Sequence, residues 1–170
     1  MDFSWAFDGH TYNVNTGILA SVCCILKEMD KYRRRREKMN RINGQIILAS
    51  ASPRRKELLH QVGLSPDIIP SQREEKIISR DPEQTVKELS RQKAEDVAAL
   101  CTDRKDMSVV IGADTVVAVD GRILGKPGSE KEALEMLELL QGREHQVYTG
   151  VTMIFVHSGE QITFAERTNV

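Results

Sequence analysis

A carboxylate inside a long apolar run has to be explained by its neighbours. Asp114 is such a residue, because Val109 to Val119 reads V-V-I-G-A-D-T-V-V-A-V. A run rich in β-branched residues and without alternation suits a strand, or a bent strand pair, buried on both faces. Taking an ionised carboxylate out of water costs on the order of several kcal/mol unless cations, donors or a metal replace its hydration. Asp114 therefore implies basic or metal-bearing surroundings; the plainer alternative is a turn cap or a pair with a structural arginine. Gly112, two residues earlier, allows a bulge or a close approach of backbone or ligand. A second stretch, Ser50-Ala51-Ser52-Pro53-Arg54-Arg55, puts hydroxyls, free backbone amides and two guanidiniums at one helix start. That combination is a good phosphate site. The same residues could form an ordinary Ser-Pro cap with both arginines in solvent, but two cations in a first turn oppose the helix dipole, a cost that an anion relieves.

The elements that must position these groups follow from pattern and punctuation. Ile46 to Ala49 is a short apolar strand, and Pro53 opens a helix from Arg54 to about Val62. Leu64 to Pro70 reads as a second strand, followed by the loop Arg73-Glu74-Glu75-Lys76. Asp81 caps, and Pro82 starts, a helix running to about Leu100, with Val86, Leu89, Val97 and Leu100 as its apolar stripe. Steps of three and four along that stripe land on Lys93, which faces inward rather than outward with Lys87, Arg91 and Glu95. A lysine there either snorkels to water or meets charged partners inside. After the central run, Asp120-Gly121 is a hairpin turn leading to Arg122 to Leu124. Gly125-Lys126-Pro127-Gly128 then sets one lysine between turn residues. Ser129-Glu130-Lys131-Glu132 is a capping box for a helix through Leu140, with Ala133, Leu134, Leu137 and Leu140 as its core side. Gln146 to Phe155 and Gln161 to Thr168 form a hairpin around His157-Ser158-Gly159.

Residues 1 to 45 differ in character and read as an N-terminal leader. Asn15 or Thr16 could cap a helix carrying Ile18, Leu19, Val22, Ile25, Leu26 and Met29 on one side, and Lys31 to Lys38 is strongly basic. The basic stretch is either a patch for nucleic acid or anionic lipid or a solvated helix end diluted by Glu28, Asp30 and Glu37, and the second reading is favoured. A third reading makes Met39 the natural start and the leader extra sequence. Gly17 to Leu26 is too short to span a bilayer, and its charges lie after it rather than before it, unlike a signal peptide. With 170 residues, 40% hydrophobic, and a net charge of -1, the chain has enough core for one domain and no global field favouring nucleic acid. Three cysteines, two of them adjacent, suit a reducing cytoplasm, and the four scattered histidines give no structural zinc spacing.

The blocks L-A-S-A-S-P-R-R-K-E-L-L at 48 to 59, E-E-K at 74 to 76, R-Q-K-A at 91 to 94, I-G-A-D-T at 111 to 115, G-K-P at 125 to 127 and L-x-G-R-E-H-x-V-Y-T at 140 to 149 occur in one order and spacing. Together they closely resemble the Maf family of nucleoside triphosphate pyrophosphatases, over residues 46 to 170. The resemblance implies a mixed, twisted α/β sheet flanked by helices, related to the inosine triphosphatase group. It implies hydrolysis of a nucleoside triphosphate to the monophosphate and pyrophosphate with a divalent metal, magnesium or manganese. On that resemblance Asp114 is the catalytic proton acceptor, Glu75 and Asp114 hold the metal, and Arg54 and Thr115 bear on substrate choice. Lys93 and Lys126 complete the site, and Arg55, Ser50 and Ser52 are phosphate-binding candidates. Pro-Arg-Arg and Gly-Ala-Asp-Thr resemble the branch acting on dTTP and UTP, with modified nucleotides as further candidates. Family members continue with more strands and helices and a Tyr-Gly-Ile-Gln-Gly block that contributes to the base pocket; nothing after Val170 supplies it, so the domain is expected to be C-terminally truncated. The alternative is a truncated or inactive nucleotide-binding module of the same family, involved in regulation of septum formation. A homodimer is open; a membrane partner is not expected, nor is nucleic acid.

Overall fold

The computed structural model describes residues 3–7, 10–14, 45–76, 79–101, 108–125 and 127–170. Strands β1 (Phe3–Phe7) and β2 (His10–Val14) pair antiparallel as a two-stranded sheet, a hairpin that the sequence pattern does not announce. The helix expected from Asn15 or Thr16 and the basic stretch from Lys31 to Lys38 lie outside the described residues.

The second sheet has the order β4-β3-β5-β7-β8, with β6 paired to β5. Its strands are β3 (Ile46–Leu48), β4 (Asp67–Ile68), β5 (Val109–Val119), β6 (Arg122–Leu124), β7 (Gln146–Phe155) and β8 (Glu160–Asn169). Three helices lie between them: α1 (Pro53–Gln61), α2 (Pro82–Leu100) and α3 (Glu130–Leu140). Strands β4, β3 and β5 run parallel, whereas β6, β7 and β8 pair antiparallel, which makes the mixed sheet flanked by helices that the resemblance implies. The strand expected from Leu64 to Pro70 shrinks to the pair Asp67–Ile68, both exposed. Pro66 and Pro70 bracket it, and prolines cannot donate to a ladder, so only a short edge strand fits between them.

From β3 the chain passes through α1 to β4 on one side, and from β4 through α2 to β5 on the other. Crossovers of one hand in opposite directions put the two helices on opposite faces. Accordingly Leu59 of α1 packs with Leu48, Ile111 and Met153, while Ala94 and Val97 of α2 pack with Ile47, Val110 and Ile154. The place where the strand order diverges, beyond the carboxyl end of β3, is where open α/β sheets form a crevice. Strand β5 widens it. On the edge away from β7, β3 pairs with Val109 to Ile111 and β6 with Val117 to Val119, so the stretch around Asp114 lies between two short partners.

Two glycines let α2 settle directly on the sheet. A Cβ on Gly112 would stand 2.2 Å from the carbonyl oxygen of Ser90, and one on Gly150 would stand 2.1 Å from that of Val86. Both distances are far inside contact, so no other residue fits without moving the helix. Gly150 is the cross-strand partner of Asp114, so the close approach occurs beside the carboxylate. At the other end of β5, Asp120 and Gly121 have φ of 49° and 74°, the left-handed pair that a tight two-residue hairpin demands.

Helix α3 begins as its sequence predicts, with the Ser129 hydroxyl accepting from the N–H of Glu132 at 3.2 Å. The Glu132 carboxylate reaches one residue further back than a capping box requires and accepts from the N–H of Gly128 at 2.7 Å. Its expected core side is only partly covered: the helix fully buries no residue, Ala133 and Leu140 are half-buried, and Leu134 and Leu137 are 57% and 64% exposed. Likewise Leu100, the last member of the α2 stripe, is exposed, and Cys101 is buried in its place.

Candidate active site

Two backbone devices bring the charged groups together. The closely laid α2 points Lys93 at β5, and the turn from β3 into α1 brings Arg55 over the same strand. The Lys93 ammonium is hydrogen-bonded to Asp114 and lies 3.0 Å from a carboxylate oxygen of Glu75, so one cation holds two carboxylates. The Lys93 and Asp114 side chains are 14% and 12% exposed. In a pair so withdrawn from water, loss of Lys93 alone would leave the Asp114 carboxylate without its compensating charge. Asp114 thus has the basic surroundings that its place in an apolar run implies.

Arg55 sits on the other face of β5. Its Nη1 donates to Ser50 Oγ at 3.0 Å and its Nη2 to Thr115 Oγ1 at 3.2 Å. Burial pushes the guanidinium below its ordinary range, and the charges of Asp114 and Glu75 act in the opposite direction. An arginine remains protonated throughout, so Arg55 is a fixed positive charge in a partly dry place. The Thr115 hydroxyl also meets that of the buried Thr149, at 3.1 Å. Ser50 Oγ accepts from the N–H of Ser52 at 3.3 Å as well as from Arg55. Ser52 occupies the N-cap position of α1 without a side-chain capping bond.

Ser50, Ser52, Arg55, Arg73, Glu75 and Lys93 line a cavity of about 420 Å³, within the range of a small-molecule site. Asp114 is not on its wall and reaches it through Lys93. The adjacent Arg54, expected to bear on substrate choice, is exposed and is not part of the wall; Arg55, its neighbour, is the arginine turned inward. Lys126 lies outside the described residues. The site thus brings together Asp114, Lys93, Glu75, Arg55, Thr115, Ser50 and Ser52.

The sequence reading missed the hold on the loop that carries Glu75. Asp96 Oδ2 accepts from Ser71 Oγ at 2.8 Å, from the N–H of Gln72 at 3.0 Å and from that of Arg73 at 3.3 Å. The Ser71 bond foremost, with the two amides, holds the Asp96 carboxyl below the usual carboxylate range. Gln92 exchanges two hydrogen bonds with the peptide groups of Lys76, accepting at 3.1 Å and donating at 3.0 Å. The available signal was the i, i+4 spacing of Gln92 and Asp96 around Lys93. In the sequence Thr149 stands out only as the last residue of the block at 140 to 149.

Among the described residues no cluster of three or more His, Cys, Asp or Glu is placed to hold a metal ion. The donor chemistry still fits one, since magnesium is commonly held by one or two carboxylates together with substrate phosphates, and Glu75 and Asp114 converge on a single cation. No helix among the described residues is long and apolar enough to cross a membrane.

Residues 45–170 match the model of the family described as Maf-like protein. A dTTP/UTP pyrophosphatase of Agathobacter rectalis is 48% identical over 140 residues, covering 75% of this chain and 68% of that protein. One from Carboxydothermus hydrogenoformans is 48% identical over 126 residues, covering 74% and 66%. The chain thus spans about two thirds of the length of these curated relatives. Among solved structures, a nucleoside-triphosphatase (dITP/XTP pyrophosphatase) from Mycobacterium abscessus overlaps with a TM-score of 0.48 at 16% identity, over 74% of this chain and 72% of that one. With its blocks in order and the family model matched over everything from residue 45 onward, the chain belongs to the Maf-like family.

Proposed function

We propose that the protein is a nucleoside triphosphate pyrophosphatase that converts dTTP or UTP and water into the monophosphate and pyrophosphate. The observation that carries this is Lys93, held between Asp114 and Glu75 beside a cavity that Arg55 also lines. The names of the relatives supply the nucleotide. A triphosphate brings about four negative charges near neutral pH, and the leaving pyrophosphate gains more, so cations held in place ahead of the reaction lower its barrier. Arg55 and Lys93 are such cations, and Arg54 and Lys126 are candidates for the remainder. Ser50, Ser52 and the first-turn amides of α1 add neutral donors. Thr115, bonded to the cavity-lining Arg55 and to Thr149, is the small polar residue that bears on base choice.

Asp114 is the proton acceptor for the attacking water. Its present bond to Lys93 covers it. A bound triphosphate competes for the Lys93 ammonium and uncovers the carboxylate where the phosphates lie. Glu75 and Asp114 would hold the divalent metal, magnesium or manganese, which when bound supplies charge neutralisation on the phosphate oxygens. The cysteine usage supports a reducing cytoplasm as the compartment.

The test is pyrophosphate release from dTTP and UTP, with ATP as comparison, in magnesium or manganese. Asp114→Asn keeps the shape and removes the base; turnover should fall by roughly 100-fold or more, with nucleotide binding largely retained. Hydrolysis by this variant at the parent rate would refute the assignment of Asp114. Nucleotide binding without pyrophosphate release from the parent chain would favour the reading as a binding module, for which the absence of Asp114 from the cavity wall is the supporting observation.

A further inference from the structure

We infer that Gln92 and Asp96 are positioning residues, which fasten the segment 71–76 to α2 so that Glu75 is held against Lys93. The inference rests on the pyrophosphatase reading for its effect on turnover, but its geometry stands alone. Gln72 to Lys76 are exposed and belong to no helix or strand, so little apolar burial fixes them. Two side chains on one helix do so instead. Asp96 gathers Ser71, Gln72 and Arg73 on one carboxylate oxygen. Gln92 grips the other end through both peptide groups of Lys76, as a neighbouring strand would.

Only Glu74 and Glu75 lie between the two grips. The Gln92 amide has no slack: it is 6% exposed, and its nitrogen donates both to Lys76 and to Glu88 Oε1, at 3.0 Å each. Turning the amide over would set its NH₂ group against the N–H of Lys76 and its oxygen against two acceptors, so its orientation is determined. Lys93, the cation that Glu75 meets, is the next residue on the same helix. Clamp and partner therefore share one rigid element, the arrangement that holds a site group within the tolerance that catalysis needs. Arg73, on the same segment, is kept on the cavity wall by the same bonds.

Two variants test this on the whole chain. Gln92→Met keeps length and loses both bonds to Lys76, a residue on an exposed segment. Asp96→Ala removes the other grip if the first variant folds poorly. The expected result is faster hydrogen exchange at the amides of residues 72, 73 and 76, with α2 and β5 as protected as in the parent. Turnover of dTTP should fall roughly 10-fold to 100-fold, the scale on which a displacement of about 1 Å acts. In a Glu75→Gln background the same change should cost less than about 2-fold, because Gln92 acts through Glu75. The same cycle read as affinity for α,β-methylene dTTP in magnesium needs no turnover, so it decides the inference even if the parent releases no pyrophosphate. Unchanged exchange at those amides, a loss of protection throughout the domain, or a full additive penalty in the Glu75→Gln background would each overturn it.

Discussion

Helices α2 and α3 begin alike and end up in different circumstances. Asp81 accepts from the N–H of Gln84 and Ser129 from that of Glu132, and each helix then carries leucines at helical spacing. Yet α2 buries Val86, Leu89, Ala94 and Val97, whereas α3 buries nothing. The difference lies in what faces them. Strands β5 and β7 present Gly112 and Gly150 to α2, and without side chains there the helix backbone can reach the sheet. An apolar stripe says that a helix has a face to cover. The residues opposite decide whether it is covered and how closely, and here the same close approach brings Lys93 to Asp114.

The contrast is broken most strongly on the α2 side. Leu89 is 3% exposed, so Leu89→Ala should cost about 2–5 kcal/mol in denaturant unfolding, from lost transfer energy and the cavity left behind. Gly112→Ala comes next. Its new methyl meets the carbonyl of Ser90 and the amide of Ala94, and overpacking of this kind costs roughly 1–3 kcal/mol. It should also lower turnover by drawing Lys93 away from Asp114, which separates it from Leu89→Ala. A Gly112→Ala protein with parental stability and rate would show that the close approach is dispensable.

A smaller effect comes from Asp96. Its carboxyl lies below the usual range because Ser71 and two amides bond its charged form. A depressed folded value means that the contribution is fully present above the ordinary aspartate range and is lost as pH falls through the folded value. The gap in melting temperature between parent and Asp96→Ala should therefore be constant near neutrality and close below about pH 4. A gap that is the same at pH 3 and pH 7 would mean that the carboxylate charge is not what holds the loop.

Much of the fold can be read from local signals: the unbroken run of β5, the caps of α2 and α3, and the Asp120-Gly121 turn are each contained in a few adjacent residues. What escaped depends on distant partners. The bonds of Gln92 and Asp96 reach back 16 to 25 residues, and no periodicity records them. Of two adjacent arginines, the resemblance gave Arg54 a part in substrate choice and made Arg55 a phosphate-binding candidate, and the structure turns Arg55 inward. A signal for that did exist: Arg55 is one turn before Leu59, the buried residue of α1, and so shares its face. Strand β4 was overestimated because an apolar stretch outweighed the prolines that bound it.

The smallest effect is expected where the sequence promised a core. Leu137 has the type and spacing of a buried residue, and on the apolar stripe alone Leu137→Ala would cost as much as Leu89→Ala. At 64% exposure it has little apolar contact to lose, and alanine is a slightly better helix former than leucine. The change should therefore fall within about 0.5 kcal/mol of the parent, as surface substitutions do. Measured beside Leu89→Ala in the same denaturant series, it isolates the facing surface, since residue type, substitution and helical setting are matched. Equal losses at the two positions would mean that the α3 face is covered in solution, and a loss at Leu137 that grows with protein concentration would identify the cover as a second copy of the chain.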